Sequence, residues 1–223
     1  MTQYQCIIFD WDGTLMDSAQ KIATCLQSSA SDVGLPVPSL QSAKNIIGLG
    51  LEDSMRTVFG DLPPEKIQEL IGRYRHHFLY ENQVPQPMFQ GVKPGLQRLQ
   101  QTGVFLCVAT GKARRGLDRV LTQEVMHDYF VYTRCADEAR TKPHPQMLLD
   151  ILEHLAIDKH KMLMVGDTSY DMEMAGGASI DAVALGHGVH SRQRLLDSGA
   201  QSVFNDFAEL VEWLEPRVET AYQ

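Results

Sequence analysis

The feature that most restricts the fold of this chain is an alternation of two kinds of segment. Short apolar or β-branched runs cover Tyr4 to Asp10, Val104 to Thr110, Phe130 to Arg134, Lys161 to Asp167 and Asp181 to Leu185, with a weaker one from Gln201 to Phe204. Between the later runs, apolar residues recur at helical spacing over Lys93 to Gln101, Ala113 to Glu124, Pro145 to Leu155, Tyr170 to Ala178 and Asp206 to Leu214. A strand that returns parallel to its neighbour needs a crossover, and a helix supplies it. Runs such as "VFLCVAT" and "KMLMVGD" are apolar almost throughout, as strands covered on both faces must be. The expected fold is therefore α/β: a Rossmann-like parallel sheet with helices on both faces.

Residues 16–85 break this alternation. They contain four helical patterns, Ser18 to Val33, Ser39 to Ile46, Glu52 to Phe59 and Pro64 to Glu81, interrupted by "GLPVPS", "GLG" and "GDLPP". The pattern predicts a small all-α cap inserted after the first strand, with residues 1–15 and 86–223 forming the core.

The formal net charge of −8 disfavours nucleic acid and anionic membranes as partners, because a net acidic surface repels both. A small molecule is the better expectation. The N-terminus lacks a signal-peptide pattern and no apolar run reaches membrane-spanning length, so a cytoplasmic protein is expected, as a monomer or a dimer. Cys6, Cys25, Cys107 and Cys135 show no CxxC spacing and read as buried reduced thiols.

Ligands of a parallel α/β sheet gather at the carboxyl ends of its strands. There the sequence places Asp10 and Asp12, Thr110, Lys142 in the loop after the third strand, and Asp167. So many carboxylates in one crevice require a cation, and an oxygen-rich set suits Mg²⁺ while leaving coordination positions for a phosphate. Lys142 and Thr110 can hold phosphoryl oxygens where charge spreads in the transition state. One carboxylate of the first pair can attack phosphorus, and the other can move protons.

The sequences "DWDGT" at 10–14, "VATGK" around Thr110, "RTKPHP" around Lys142 and "GDTSYD" at 166–171 resemble the four ordered motifs of the haloacid dehalogenase superfamily. The helical insert after the first motif is similar to the cap of its phosphoglycolate-phosphatase and β-phosphoglucomutase branch. The resemblance implies an Asp10 nucleophile, an Asp12 acid/base and phosphate contacts from Thr110, Gly111 and Lys142. It also implies Mg²⁺ held by Asp10, the Asp12 carbonyl and Asp167, with Asp171 supporting the metal directly or through water. The implied activity is phosphatase action on a small phosphomonoester through an aspartyl phosphate, with the insert as lid and Ile47, Gly48 and Leu51 setting specificity.

Within that superfamily the residues favour some chemistries over others. Asp12 argues against dehalogenation, in which a departing halide needs no proton. Schiff-base phosphonatase chemistry needs a reactive cap lysine, and Lys21, Lys44 and Lys66 stand in polar contexts. A phosphosugar mutase is the nearest alternative, but Leu51 stands where its cap loop carries a phosphate-binding arginine. A response-regulator receiver is about half as long and carries its acceptor after a middle strand.

Several other residues read as structural. Asp17-Ser18 suits a helix cap, and Lys112, Arg114, Arg115 and Arg119 suit a solvated helix face. His76 and His77 suit the surface, His187 suits a loop near the crevice, and Met162, Met164, Met172 and Met174 suit core filling.

Overall fold

The computed structural model describes residues 3–221. Six parallel strands, β1 (Cys6–Phe9), β2 (Phe105–Thr110), β3 (Tyr132–Cys135), β4 (Met162–Gly166), β5 (Asp181–Leu185) and β6 (Val203–Phe204), form one sheet in the order β3-β2-β1-β4-β5-β6. In register, Phe9 stands between Val108 of β2 and Val165 of β4.

Strand alternation sorts the apolar residues into two cores. Ile7 and Phe9, Leu106 and Val108, and Leu163 and Val165 face one side. There they meet α5 (Val92–Gln101), α6 (Arg114–Glu124) and α10 (Phe207–Leu214). Cys6 and Ile8, Cys107 and Ala109, and Met162 and Met164 face the other side, against α7 (Gln146–Leu155), α8 (Ser169–Ala178) and α9 (Arg192–Asp197). Burial on both faces explains the unbroken apolar runs. Met162, Met164, Met172 and Met174 fill the second core, and the four cysteines are free and buried.

The segment between β1 and α5 is helical: α1 (Ala19–Asp32), α2 (Leu40–Lys44), α3 (Leu51–Phe59) and α4 (Pro64–His76), followed by a π-helical turn at His77–Glu81. These helices enclose their own cluster of Ala23, Leu26, Ala43, Met55, Ile67 and Leu70. At roughly 1.5–3 kcal/mol per buried large apolar side chain, such a cluster holds the four helices together apart from the sheet. Pro64 starts α4, where its fixed φ costs nothing, and Ser39 caps α2 by accepting from the Ser42 N–H.

Three features depart from the sequence pattern. Helix α9 was not foreseen: at six residues it is shorter than two turns and presents little periodicity. The Pro64 to Glu81 pattern divides into an α-helix and the π turn. Ser18 precedes α1 but makes no side-chain cap bond, because its hydroxyl points elsewhere, as described below.

Candidate active site

The order β3-β2-β1-β4-β5-β6 reverses direction between β1 and β4, and at that switch point the chain leaves a crevice at the carboxyl ends of the strands. Asp10 immediately follows β1 and Asp167 immediately follows β4, so both enter the crevice. Asp171 joins them from the first turn of α8. Its Oδ2 accepts from the Thr168 N–H at 3.1 Å and the Thr168 hydroxyl at 2.7 Å, so one carboxylate caps the helix and faces the crevice. Carboxylate oxygens of Asp10, Asp167 and Asp171 all lie within 4.8 Å of one another, and all three residues are fully buried.

Lys142 Nζ bridges two of them, 2.9 Å from Asp10 Oδ1 and 2.7 Å from Asp171 Oδ1. The contacts are ionic, with angles outside hydrogen-bond geometry. Asp167 accepts from the Thr14 hydroxyl and the Val189 N–H, each at 2.8 Å. Gly13 and Gly188 press on it so closely that a Cβ on either would stand 2.3 or 2.2 Å from its atoms.

One ammonium among three buried carboxylates leaves an excess of negative charge, and the titration behaviour reflects it. Burial, then the neighbouring Asp10 and Asp171, pushes Asp167 well above the ordinary carboxylate range. Burial also raises Asp10, to about 7, against the pull of Lys142. Lys142 is held above its usual value: burial acts to lower it, but Asp10 and Asp171 outweigh burial. Asp10 Oδ2 is buried and has no hydrogen-bond partner among the described residues. An orphaned carboxylate oxygen among three converging carboxylates fits a hard divalent cation with oxygen ligands.

Asp12 points away from this cluster. Its Oδ1 accepts from the Ser18 hydroxyl at 2.5 Å and lies 2.8 Å from Lys112 Nζ. Two expectations change here. Ser18 orients Asp12 instead of capping α1, and Lys112, with a side chain only 10% exposed, turns inward instead of lying on a solvated face. Lys112 lies before α6, which starts at Arg114, so the helical periodicity of its basic neighbours does not describe it. The available signal was position, a lysine two residues beyond a strand-end threonine. Thr110 is buried at the end of β2 and its Oγ1 accepts from the Lys112 N–H at 3.2 Å, leaving its own proton free for a ligand. Gly111 lies beneath the insert: a Cβ there would meet the Gly48 and Leu49 carbonyls at 2.6 Å.

Of the insert residues singled out from sequence, Gly48 reaches the core, and a Cβ on it would stand 3.1 Å from Thr168 Oγ1. Ile47 is buried, and Leu51 packs on the insert's own cluster. Leu49 lines an open cavity of about 890 Å³ beside Lys142, with Asp53, Arg140, His144 and Tyr170. Other contacts close the insert over the crevice. The Tyr170 hydroxyl donates to the Asn45 carbonyl at 3.0 Å, and the Thr141 hydroxyl donates to Asp53. His190 Nδ1 accepts from the Ser169 N–H, which leaves Nε2 as the donor to the same Asn45 carbonyl at 3.3 Å.

The remaining residues have structural partners. His187 stacks on Phe89 at 3.9 Å and meets the Thr14 carbonyl at 3.2 Å, so it braces the first loop. Arg114 binds Glu138 and Thr133, away from the carboxylates. Arg115 and Arg119 are exposed. His76 is exposed, while His77 is half-buried between Asp32 and Glu81. Lys66 binds the Val33 carbonyl and Glu69, whereas Lys21 lies half-buried over the Phe78 ring, not in a polar setting.

Among the described residues no helix is long and apolar enough to cross a membrane. The chain is 31% identical to a protein named Probable phosphatase IndB of Dickeya dadantii, over 92% of this chain and 91% of that protein. It is 30% identical to the tyrosine-protein kinase PtkA of Mycobacterium tuberculosis, over 95% of this chain and 72% of that protein. It is 29% identical to the phosphoglycolate phosphatase of Aliivibrio fischeri, over 92% and 94%. The crystal structure of a hydrolase from Pseudomonas syringae superposes with a TM-score of 0.87 at 20% identity, covering 98% of this chain and all of that one, a likeness of fold. The family model described as haloacid dehalogenase-like hydrolase matches residues 7–185, from the first strand through the fifth. With 179 of its 223 residues inside that match, the chain belongs to the haloacid dehalogenase-like hydrolase family.

Proposed function

We propose that this hydrolase is a Mg²⁺-dependent phosphatase, similar to phosphoglycolate phosphatases, that cleaves a small phosphomonoester through an aspartyl phosphate on Asp10. The observation that carries the reading is the division of labour in the first loop. Asp10 lies in the carboxylate cluster against Lys142, while Asp12, two residues on, faces Ser18 and Lys112. Nucleophile and proton carrier need different surroundings, and the loop provides them. Phosphatase-named relatives align along nearly their whole length, which supports the same reading.

Asp10, Asp167 and Asp171 would hold the ion, whose charge would offset theirs and that of the phosphoryl oxygens. In the first step an Asp10 oxygen bonds to phosphorus, the bond to the leaving oxygen breaks, and Asp12 supplies that oxygen with a proton. In the second, Asp12 takes a proton from water, the water oxygen bonds to phosphorus, and the Asp10 ester bond breaks to release phosphate. Thr110 and Lys142 hold the transferring oxygens. Trp11 N–H, 2.6 Å from Asp10 Oδ1, fixes the carboxylate for attack. The insert excludes bulk water, since Asp10, Thr110 and Asp167 are all fully buried beneath it.

A screen of phosphorylated metabolites with and without EDTA, using Asp10→Asn as control, tests the reading. Phosphate release that requires a divalent ion and disappears in the variant is expected; release that survives both treatments would overturn it.

A further inference from the structure

In the reaction proposed above, the leaving oxygen must lie beside Asp12, so the residues around Asp12 face the rest of the substrate. Those residues are unusual. Lys112 Nζ, besides its contact with Asp12, stands 5.5 Å from the centroid of the Phe78 ring. Lys21 Nζ, from α1, stands 5.2 Å from the same centroid and has no carboxylate partner among the described residues. Phe78 belongs to the π-helical turn, a local widening of the helix of a kind frequent at functional sites. Tyr74 stacks beside it at 5.9 Å. Two ammonium groups, one from the core and one from the insert, thus lie against one aromatic ring, and one of them touches a single carboxylate. A substrate with a neutral leaving group would leave one of them uncompensated in a half-buried site, whereas a leaving group carrying its own negative charge would complete the set.

We infer that Lys21, Lys112 and Phe78 form an anion subsite for the leaving group, so that the enzyme selects short phosphomonoesters bearing a second acidic group. The inference rests on the phosphatase reading. Lys112 reaches both Asp12 and the subsite, and therefore couples occupancy of the subsite to the position of the proton carrier. Lys21 does not touch Asp12, so it reports on the subsite alone. A neutral sugar phosphate would offer hydroxyls that cannot satisfy either ammonium as an anion does.

Three phosphomonoesters with two-carbon leaving groups that differ at the far end test this. They are 2-phosphoglycolate (carboxylate), ethane-1,2-diyl bisphosphate (phosphate) and 2-hydroxyethyl phosphate (neutral), assayed with Mg²⁺ beside para-nitrophenyl phosphate. At least one anionic ester should exceed the neutral one in kcat/KM by about ten-fold or more, the value of one well-placed charge contact. The carboxylate and phosphate arms identify which anion the subsite takes. In Lys21→Met and Lys21→Gln the anionic-to-neutral ratio should fall towards one, and in Lys21→Arg it should be retained; both rates come from one preparation, so the ratio is insensitive to partial loss of fold. A neutral ester used equally well, a ratio unmoved by either neutral variant, or cleavage of para-nitrophenyl phosphate alone would overturn the subsite. Failure to cleave any of the four esters would instead overturn the phosphatase reading.

Discussion

Replacing Gly188 by alanine should disable the enzyme without unfolding it. Gly188 follows β5 and its φ lies outside the left-handed region, so alanine is not excluded by the backbone. What excludes it is Asp167: the added Cβ would stand 2.2 Å from Asp167 Cβ and Oδ2. Ordinary contacts of this kind begin near 3.4 Å, so Asp167 or the loop must retreat by roughly 1 Å. On its other side the carboxylate already sits against the Gly13 backbone, closely enough to leave no room for a Cβ there, and accepts from the Thr14 hydroxyl at 2.8 Å, so moving that way would strain both contacts. Overpacking of this size costs about 1–3 kcal/mol, and at about 2–4 °C per kcal/mol for a chain of this length Tm should drop by about 2–12 °C, leaving the protein folded at room temperature. A 1 Å displacement of a positioning group costs about 100-fold in rate, so kcat/KM should fall by at least that factor and Mg²⁺ affinity, measured by calorimetry, should weaken in parallel. A Gly188→Ala enzyme with kcat/KM within two-fold of wild type would refute the placement of Asp167 as the pinned ligand.

Three further outcomes are expected. Lys142→Met removes the ammonium that Asp10 and Asp171 share, and breaking a buried pair costs about 3–5 kcal/mol; Tm should fall accordingly by differential scanning fluorimetry and recover in part with Mg²⁺, and a deficit indifferent to Mg²⁺ would contradict the shared site. Asp53→Ala removes the carboxylate that accepts from Thr141 across the insert and core, so kcat/KM should fall a few-fold through poorer closure while Tm moves by no more than about 2 °C. Arg114 holds Glu138 below its ordinary value of 4.5. A lowered folded value means stability that is present above that ordinary value and lost as pH falls through the folded one. Glu138→Gln should cost no more than about 1 kcal/mol near neutrality, given its part exposure, and should flatten the acid limb of the urea midpoint against pH; an unchanged limb would refute the assignment.

Legibility of the site in the sequence followed a physical division. Asp10, Thr110 and Asp167 were legible because each closes an apolar run, and in a parallel sheet the ends of such runs converge whatever the distance between them in sequence. Lys142 was legible as a cation in the loop after the third strand, placed to hold phosphoryl oxygens, and Asp171 only through the resemblance of "GDTSYD" to the fourth motif; that it also caps α8 came from the structure. The partners of Asp12 were not legible. Lys112 sits in sequence beside Arg114, Arg115 and Arg119 and so reads as part of a solvated helix face, but it lies before α6, which starts at Arg114, and its ammonium reaches Asp12. Lys21 was hidden for a related reason. It meets Phe78 within a π turn, and over five residues a π turn and an α-helix have nearly the same apolar pattern. Local patterns thus marked the floor of the crevice, while its roof depended on contacts between the core and the insert.

The account rests on a transient ester at Asp10, and the direct measurement is to trap it. Wild-type enzyme mixed with a cleaved phosphomonoester, quenched in acid within one turnover and reduced with borohydride should yield homoserine at position 10 by peptide mass spectrometry, with none in Asp10→Asn. Modification at any other residue, or normal turnover by Asp10→Asn, would contradict the account.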